Sequence, residues 1–228
     1  MDVLSPFTES TLAVDLPASS CFMSDDIVQR LIEGGESVLA EVFSEFTPRL
    51  ERMVEFRLDY RLRGRVDPGD VLQEAFIEIA RRIADYTSAP TVSFYVWVRQ
   101  ITWQTLVGVH RRHLGQKRDP NAEVRIHQRK AAADTTYSIA GMLLGNLTSP
   151  SEAAMREEMV EQLRVALDTI DETDREVLAL RHFEQLSNNE VAEVLELSKT
   201  AASNRYVRAL KRLGDILKAM PDFRDHQA

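Results

Sequence analysis

From residue 25 onward, apolar side chains recur at three- and four-residue steps, and no stretch alternates as a half-buried strand would. That periodicity confines the chain to packed helices, an all-α fold. Val38, Val42, Phe46, Leu50, Met53, Val54 and Arg57 predict a helix over 36–62, ended by a basic turn at 61–65 containing Gly64. Asp67 then offers a cap for free backbone N–H groups, Pro68 suits the first helical position, and Asp70 adds charge to the first turn. The helix they open carries the stripe Leu72, Ala75, Phe76, Ile79 and Ile83. A loop at 87–90 leads to a long helix over 92–114. Residues 115–150 mix charge, glycine and small side chains, which predicts a linker with a short helix near 138–145. Four further helices follow, over 151–169, 172–183, 188–195 and 199–218.

The expected organisation is two small helical domains joined by a flexible linker. A mobile acidic tail at 1–23 precedes the first domain, 24–115; the linker is 116–150; the second domain is 151–220; a tail at 221–228 ends the chain. Charge divides along the same lines. The net charge of −8 is carried entirely by residues 1–48, where nine acids face Arg30 alone. Keeping the chain soluble is the expected role of this segment, with masking of basic faces as the alternative. Residues 86–118 hold no acid but do hold Arg99, Arg111, Arg112, Lys117 and Arg118. Residues 197–214 likewise hold none, with Lys199, Arg205, Arg208, Lys211 and Arg212. Two such local faces can hold a phosphate backbone despite the acidic total. The plainer reading is two solvated faces whose compensating acids pack nearby.

Other chemistries find little support. Cys21 is the single cysteine, so neither an internal disulfide nor a Cys-based zinc site can form. The five histidines, His110, His113, His127, His182 and His226, show no metal-ligand spacing with carboxylates. No phosphate-cradling glycine loop or nucleophile motif occurs. The chain is therefore expected to bind no metal or cofactor and not to be an enzyme. No run approaches the roughly 20 apolar residues of a membrane-spanning helix, and the N-terminus lacks the layout of a secretory signal. A cytoplasmic protein without membrane insertion is expected.

The sharpest pattern runs from Leu186 to Tyr206. Val191, Val194 and Leu195 give one helix a buried face, Ala192 is small where a second helix approaches, and Leu197 plugs the turn. Ser198 caps a second helix with the stripe Ala202, Tyr206, Ala209, Leu213 and Leu217. Opposite lie Thr200, Asn204, Arg208 and Lys211, with Lys199, Ser203 and Arg205 toward the edges. A helix-turn-helix needs this arrangement, with short polar groups for base edges in the major groove and later cations for phosphate. Glu196 stands where such turns often carry glycine, at a cost of about 1–2 kcal/mol if left-handed.

These residues resemble a known family. Asp174-Arg175-Glu176-Val177-Leu178-Ala179-Leu180-Arg181-His182-Phe183-Glu184, the helix-turn-helix, and Arg208-Ala209-Leu210-Lys211-Arg212-Leu213 look like the promoter-binding region 4 of bacterial extracytoplasmic-function RNA polymerase sigma factors. Asp70-Val71-Leu72-Gln73-Glu74-Ala75-Phe76 and the helix through Phe94, Trp97 and Arg112 resemble region 2 of that family. The run from Arg111 to Asp119 is similar to one bacterial branch of it. The resemblance implies that Asp70, Gln73 and Glu74 dock core RNA polymerase. It implies that Arg99, Gln100, Trp103, Gln104, His110, Arg111 and Arg112 engage the melted minus-ten element, with Trp103 the candidate for base stacking. It further implies that Lys199, Thr200, Ser203, Asn204, Arg205, Arg208, Lys211 and Arg212 engage the minus-thirty-five duplex. Gln104 and Gly108 depart from the Asn and Asp of many relatives, which bears on base preference. Implied partners are core RNA polymerase and promoter DNA, and an anti-sigma factor is a further candidate. A competing reading, a helix-turn-helix regulator acting without polymerase, leaves the acidic-amide motif and the acid-free 86–118 stretch unexplained.

Overall fold

Glycine interrupts the first helix. In the computed structural model, which describes residues 23–114, 136, 139–140 and 153–219, the chain enters as α1 (Met23–Arg57). Its path breaks at Gly35, whose φ of 58° and ψ of −138° suit a residue without a Cβ. The helix thus begins well ahead of the predicted residue 36. The early arm is no loose extension, because Ile27 and Leu31 reach the core. A 3₁₀ turn, Tyr60–Leu62, leads to α2 (Pro68–Ser88). Here the predicted cap forms, the Asp67 carboxylate accepting from the Gly69 N–H at 2.6 Å. The loop to α3 (Phe94–Leu114) is pinned by the Tyr86 hydroxyl, which donates to the Val92 carbonyl at 2.8 Å. Tyr86 also stacks on Trp97 at 4.7 Å, so α1, α2 and α3 close around an aromatic-rich centre.

The second unit comprises α4 (Ala153–Leu167), α5 (Glu172–Leu178), α6 (Asn188–Val194) and α7 (Lys199–Ala219). The predicted 172–183 helix divides in two. After α5 the backbone widens into a π turn, Ala179–Phe183, closed by the Glu184 N–H donating to the Ala179 carbonyl at 3.0 Å. Gln185 then turns left-handed at φ 59°, and the Leu186 N–H reaches back to the Leu180 carbonyl at 2.8 Å. Ser187 and Glu190 cap α6 reciprocally, each side chain bonding the other's backbone N–H.

The two units do not stand apart on a tether. One core joins Leu39, Leu50, Met53, Ile79 and Val98 of the first unit to Val177, Leu180, Leu186 and Val191 of the second. Another takes Phe56 from α1 into the company of Leu163, Leu167, Leu178 and Ala209. Ile139 and Ala140, within the stretch expected to be a linker, are helical and fully buried in that second core. The physical reason is size. Bundles this small leave apolar faces uncovered, and each covers the other. Of the expected tails, residues 1–22 and 221–228 lie outside the described residues, as do Cys21, Lys117 and Arg118, while Met23 already opens α1.

Glu196 holds the turn between α6 and α7 in the left-handed region, φ 53°. Glycine would relieve that strain while adding chain entropy to the unfolded state, so Glu196→Gly is expected to stabilise by about 0.5–1 kcal/mol. The corresponding rise in Tm is roughly 2 °C, and a thermal melt showing no rise would contradict it.

Candidate nucleic-acid and polymerase interfaces

α7 starts where sequence placed it. The Ser198 hydroxyl accepts from the Ala201 N–H at 3.1 Å, and the Asn188 side-chain amide donates to the Lys199 carbonyl at 2.9 Å, fastening α6 to α7 across the turn. Ala202, Ala209 and Leu213 face inward. Lys199, Thr200, Ser203, Asn204, Arg208, Lys211 and Arg212 are exposed, a polar, cationic surface on one helix. Arg205 and Arg208 are not simply waiting for phosphate, however. Arg205 donates to Asp174 at 2.7 Å and to Asp171 at 3.1 Å, and Arg208 donates twice to Asp174, at 2.7 and 2.8 Å. Asp174 itself is buried. It orients both arginines and offsets part of their charge, a role that sequence reading missed.

Hydrogen bonds from Arg208, with Arg205 adding to them against the opposing effect of burial, hold the Asp174 carboxyl below the ordinary carboxylate range. A carboxylate depressed on folding contributes stability above its unfolded value of about 4 and loses it as pH falls through the folded value. Wild type should therefore lose stability below about pH 4 more steeply than Asp174→Asn. Urea titrations at stepped pH test this, and parallel curves would refute it.

On α2, Asp70, Gln73 and Glu74 are exposed on the side away from buried Leu72, Ala75 and Ile79. Exposed Ile77 lies on this helix too. Glu74 is engaged within the molecule, accepting from Arg112 at 3.0 and 2.6 Å. The residues expected to meet the minus-ten strand divide between two sides of α3. Gln100, Gln104, Arg111 and Arg112 are exposed, Gln104 accepting from Arg82 at 3.4 Å. Arg99, Trp103 and His110 turn inward instead. Trp103 is half-buried against the first core, and His110 accepts the Asp59 N–H on Nε2 at 3.3 Å.

Arg99 corrects the expectation of an outward DNA contact. It is only 7 % exposed, and its Nε donates to Glu184 at 2.7 Å. The acid that compensates Arg99 comes from the second unit, far away in sequence, whereas Arg112 is paired with Glu74 of the first. Arg57, also buried, donates to the other oxygen of Glu184 at 2.7 Å and to Glu176 at 2.5 and 3.0 Å. Around this centre Arg49 pairs with Glu190 at 3.0 Å while lying 3.6 Å above the Tyr95 ring, and Ser93 donates through N–H and hydroxyl to Glu193 at 2.8 and 2.7 Å. Burial alone would raise the Glu184 pKa, but Arg57 and Arg99 outweigh it and hold the carboxyl below its usual range. Burial pushes the Tyr95 hydroxyl up to about 12. Sequence reading had placed Arg57 on an apolar stripe. A charge in that position was the available signal of a buried partner.

Among the described residues no group of three or more His, Cys, Asp or Glu could hold a metal ion, and no helix is long and apolar enough to cross a membrane. Comparison with known proteins fits the helix-turn-helix geometry. Residues 160–213 match the family model for sigma-70, region 4. The chain is 27 % identical to the RNA polymerase sigma-H factor of Pseudomonas aeruginosa over 153 residues, 66 % of this chain and 73 % of the relative. It is 23 % identical to the ECF RNA polymerase sigma-E factor of Haemophilus influenzae over 188 residues, 80 % of this chain and 89 % of the relative. A solved structure of CnrH in complex with the cytosolic domain of CnrY overlaps 86 % of this chain and 97 % of its own, at TM-score 0.48 and 19 % identity. Alignments covering two thirds to four fifths of the chain run well beyond the helix-turn-helix, so the likeness is to whole sigma factors and not to a DNA-binding module alone. Together these likenesses support an RNA polymerase sigma factor of the extracytoplasmic-function kind, acting in transcription initiation.

Proposed function

We propose that this chain binds core RNA polymerase through Asp70, Gln73 and Glu74, reads the minus-thirty-five duplex with α7, and holds the melted minus-ten strand on α3. The observation that carries the reading is the outer face of α7. Thr200, Ser203 and Asn204 are short polar groups at the helix start, followed by Arg208, Lys211 and Arg212. The first set suits base edges in the major groove, the second the backbone. On α3, Gln100, Gln104 and Arg111 meet the strand first, because they are already outward. No bond is made or broken by the chain. It contributes binding energy that favours open promoter DNA, in the cytoplasm where polymerase works. Run-off transcription with purified core enzyme tests the assignment: start-site-specific transcripts should depend on this protein. Duplex binding without any core-dependent initiation would instead favour a regulator acting alone.

A further inference from the structure

We infer that the turn between α1 and α2, residues 61–65, is a further phosphate-binding element, in which Arg63 and Arg65 hold the backbone of promoter DNA where it runs past the end of α3. The inference rests on the sigma-factor reading of α3 and extends it to a basic turn to which that reading gives no task. The turn is fixed at both ends. Leu62 is buried and Val66 packs against the first core. The Arg65 and Val66 N–H groups donate to the Leu62 carbonyl at 2.9 and 3.1 Å, and Gly64 turns left-handed at φ 81°. With Leu62 and Val66 turned inward, Arg63 and Arg65 are exposed. Among the described residues neither of these two side chains has a hydrogen-bond or ion-pair partner. The acids nearest in sequence are engaged elsewhere. Asp59 accepts from Arg61 at 2.9 and 2.5 Å, and the Asp67 carboxylate caps α2.

Position in the fold selects the partner. The Asp59 N–H donates to His110 Nε2 at 3.3 Å, which sets the start of the turn beside the last turns of α3. Arg111 is exposed there, and α3 itself contains no acid. Cationic groups from two elements thus gather at one end of the first unit, as a polyanion requires. An acidic surface of core polymerase fits less well. Whatever meets the exposed Asp70 and Glu74 on α2 must be cationic, and the turn leads straight into that helix. A cationic surface there would repel Arg63 and Arg65. A guanidinium, by contrast, grips phosphate through paired N–H groups whatever the base sequence. The turn accordingly adds affinity and salt dependence without adding base preference.

The experiment uses holoenzyme reconstituted from the full-length chain and core polymerase. Affinity for two labelled promoter probes, one fully duplex and one with its minus-ten strand left single, is measured over a range of salt concentrations. Arg63→Gln with Arg65→Gln should flatten the log–log salt slope by about 1.8 if both contacts are to duplex, or about 1.4 if both are to a single strand. Either value supports the inference, and the probe that shows it identifies the form of DNA held. Arg63→Lys with Arg65→Lys should keep the wild-type slope, since a point charge suffices to release a counterion. A slope lost in the Lys variant as well would mark a structural role and overturn the inference. An unchanged slope in the Gln variant overturns it too, as does a fall in affinity for core enzyme alone, which would give the turn to polymerase. If circular dichroism shows the double Gln variant to be unfolded, Arg63→Gln alone decides. A slope change of about 0.7–0.9 is then expected, and none refutes the contact. Wild-type holoenzyme that binds promoter while the Gln variant keeps its slope sinks only this element. Wild type that confers no promoter binding on core sinks the sigma-factor reading beneath it.

Discussion

Phe56→Ala is expected to lower the unfolding free energy by about 3–5 kcal/mol, the usual range for emptying a fully buried aromatic site. Phe56 has no exposed surface, stacks on Phe183 at 5.0 Å with planes 13° apart, and sits among Leu163, Leu167 and Leu178. It grows from α1 yet fills the second unit's core. Its loss should consequently be felt in both units at once. Urea unfolding followed by far-UV circular dichroism reports all the helices, while fluorescence reports Trp97 and Trp103, both on α3. Both midpoints should fall together. If only the dichroism midpoint moved, the aromatic plug would not couple the units and their shared core would be incidental to stability.

A second large effect belongs to binding. Asp70→Ala with Glu74→Ala should weaken association with core polymerase by about 2 kcal/mol or more, roughly 30-fold, the lower end of what truncating charged partners in a desolvated interface costs. The fold should hardly notice, since both side chains are exposed and the Glu74–Arg112 pair is about half exposed. An exposed pair of this kind is worth about 0–1 kcal/mol. Biolayer interferometry against core enzyme, paired with duplex binding by the same variant, gives the reading. Equal loss of both affinities would trace the defect to folding and remove the docking role from α2.

Local rules made parts of this molecule legible. The Asp67–Pro68 start, the Ser198 cap and the left-handed Glu196 all follow from short-range backbone chemistry, and the structure has all three. Two local signals went unread. Ser187-Asn188-Asn189-Glu190 is a capping box, and the Gly34-Gly35 pair marks the break in α1. What sequence could not reveal is long-range. Glu184 lies 127 positions from Arg57 and 85 from Arg99, and no periodicity links them. Hence Arg99 was expected among the minus-ten contacts, and the acid packed against it could not be named. Which face of α7 turns outward was more legible, because that is decided within one helix. Even there Asp174, upstream on α5, retunes Arg205 and Arg208.

The widened turn at Ala179–Phe183 sets an angular phase. Each residue of a regular helix advances about 100° around the axis, while here the chain closes over one residue more, from Glu184 back to Ala179. Removing one codon from this stretch would restore the ordinary pitch and swing the Glu184 side chain by about 100°, off both arginines. Segment length, with no change of charge anywhere, could thereby set how firmly relatives of this protein hold their two halves together.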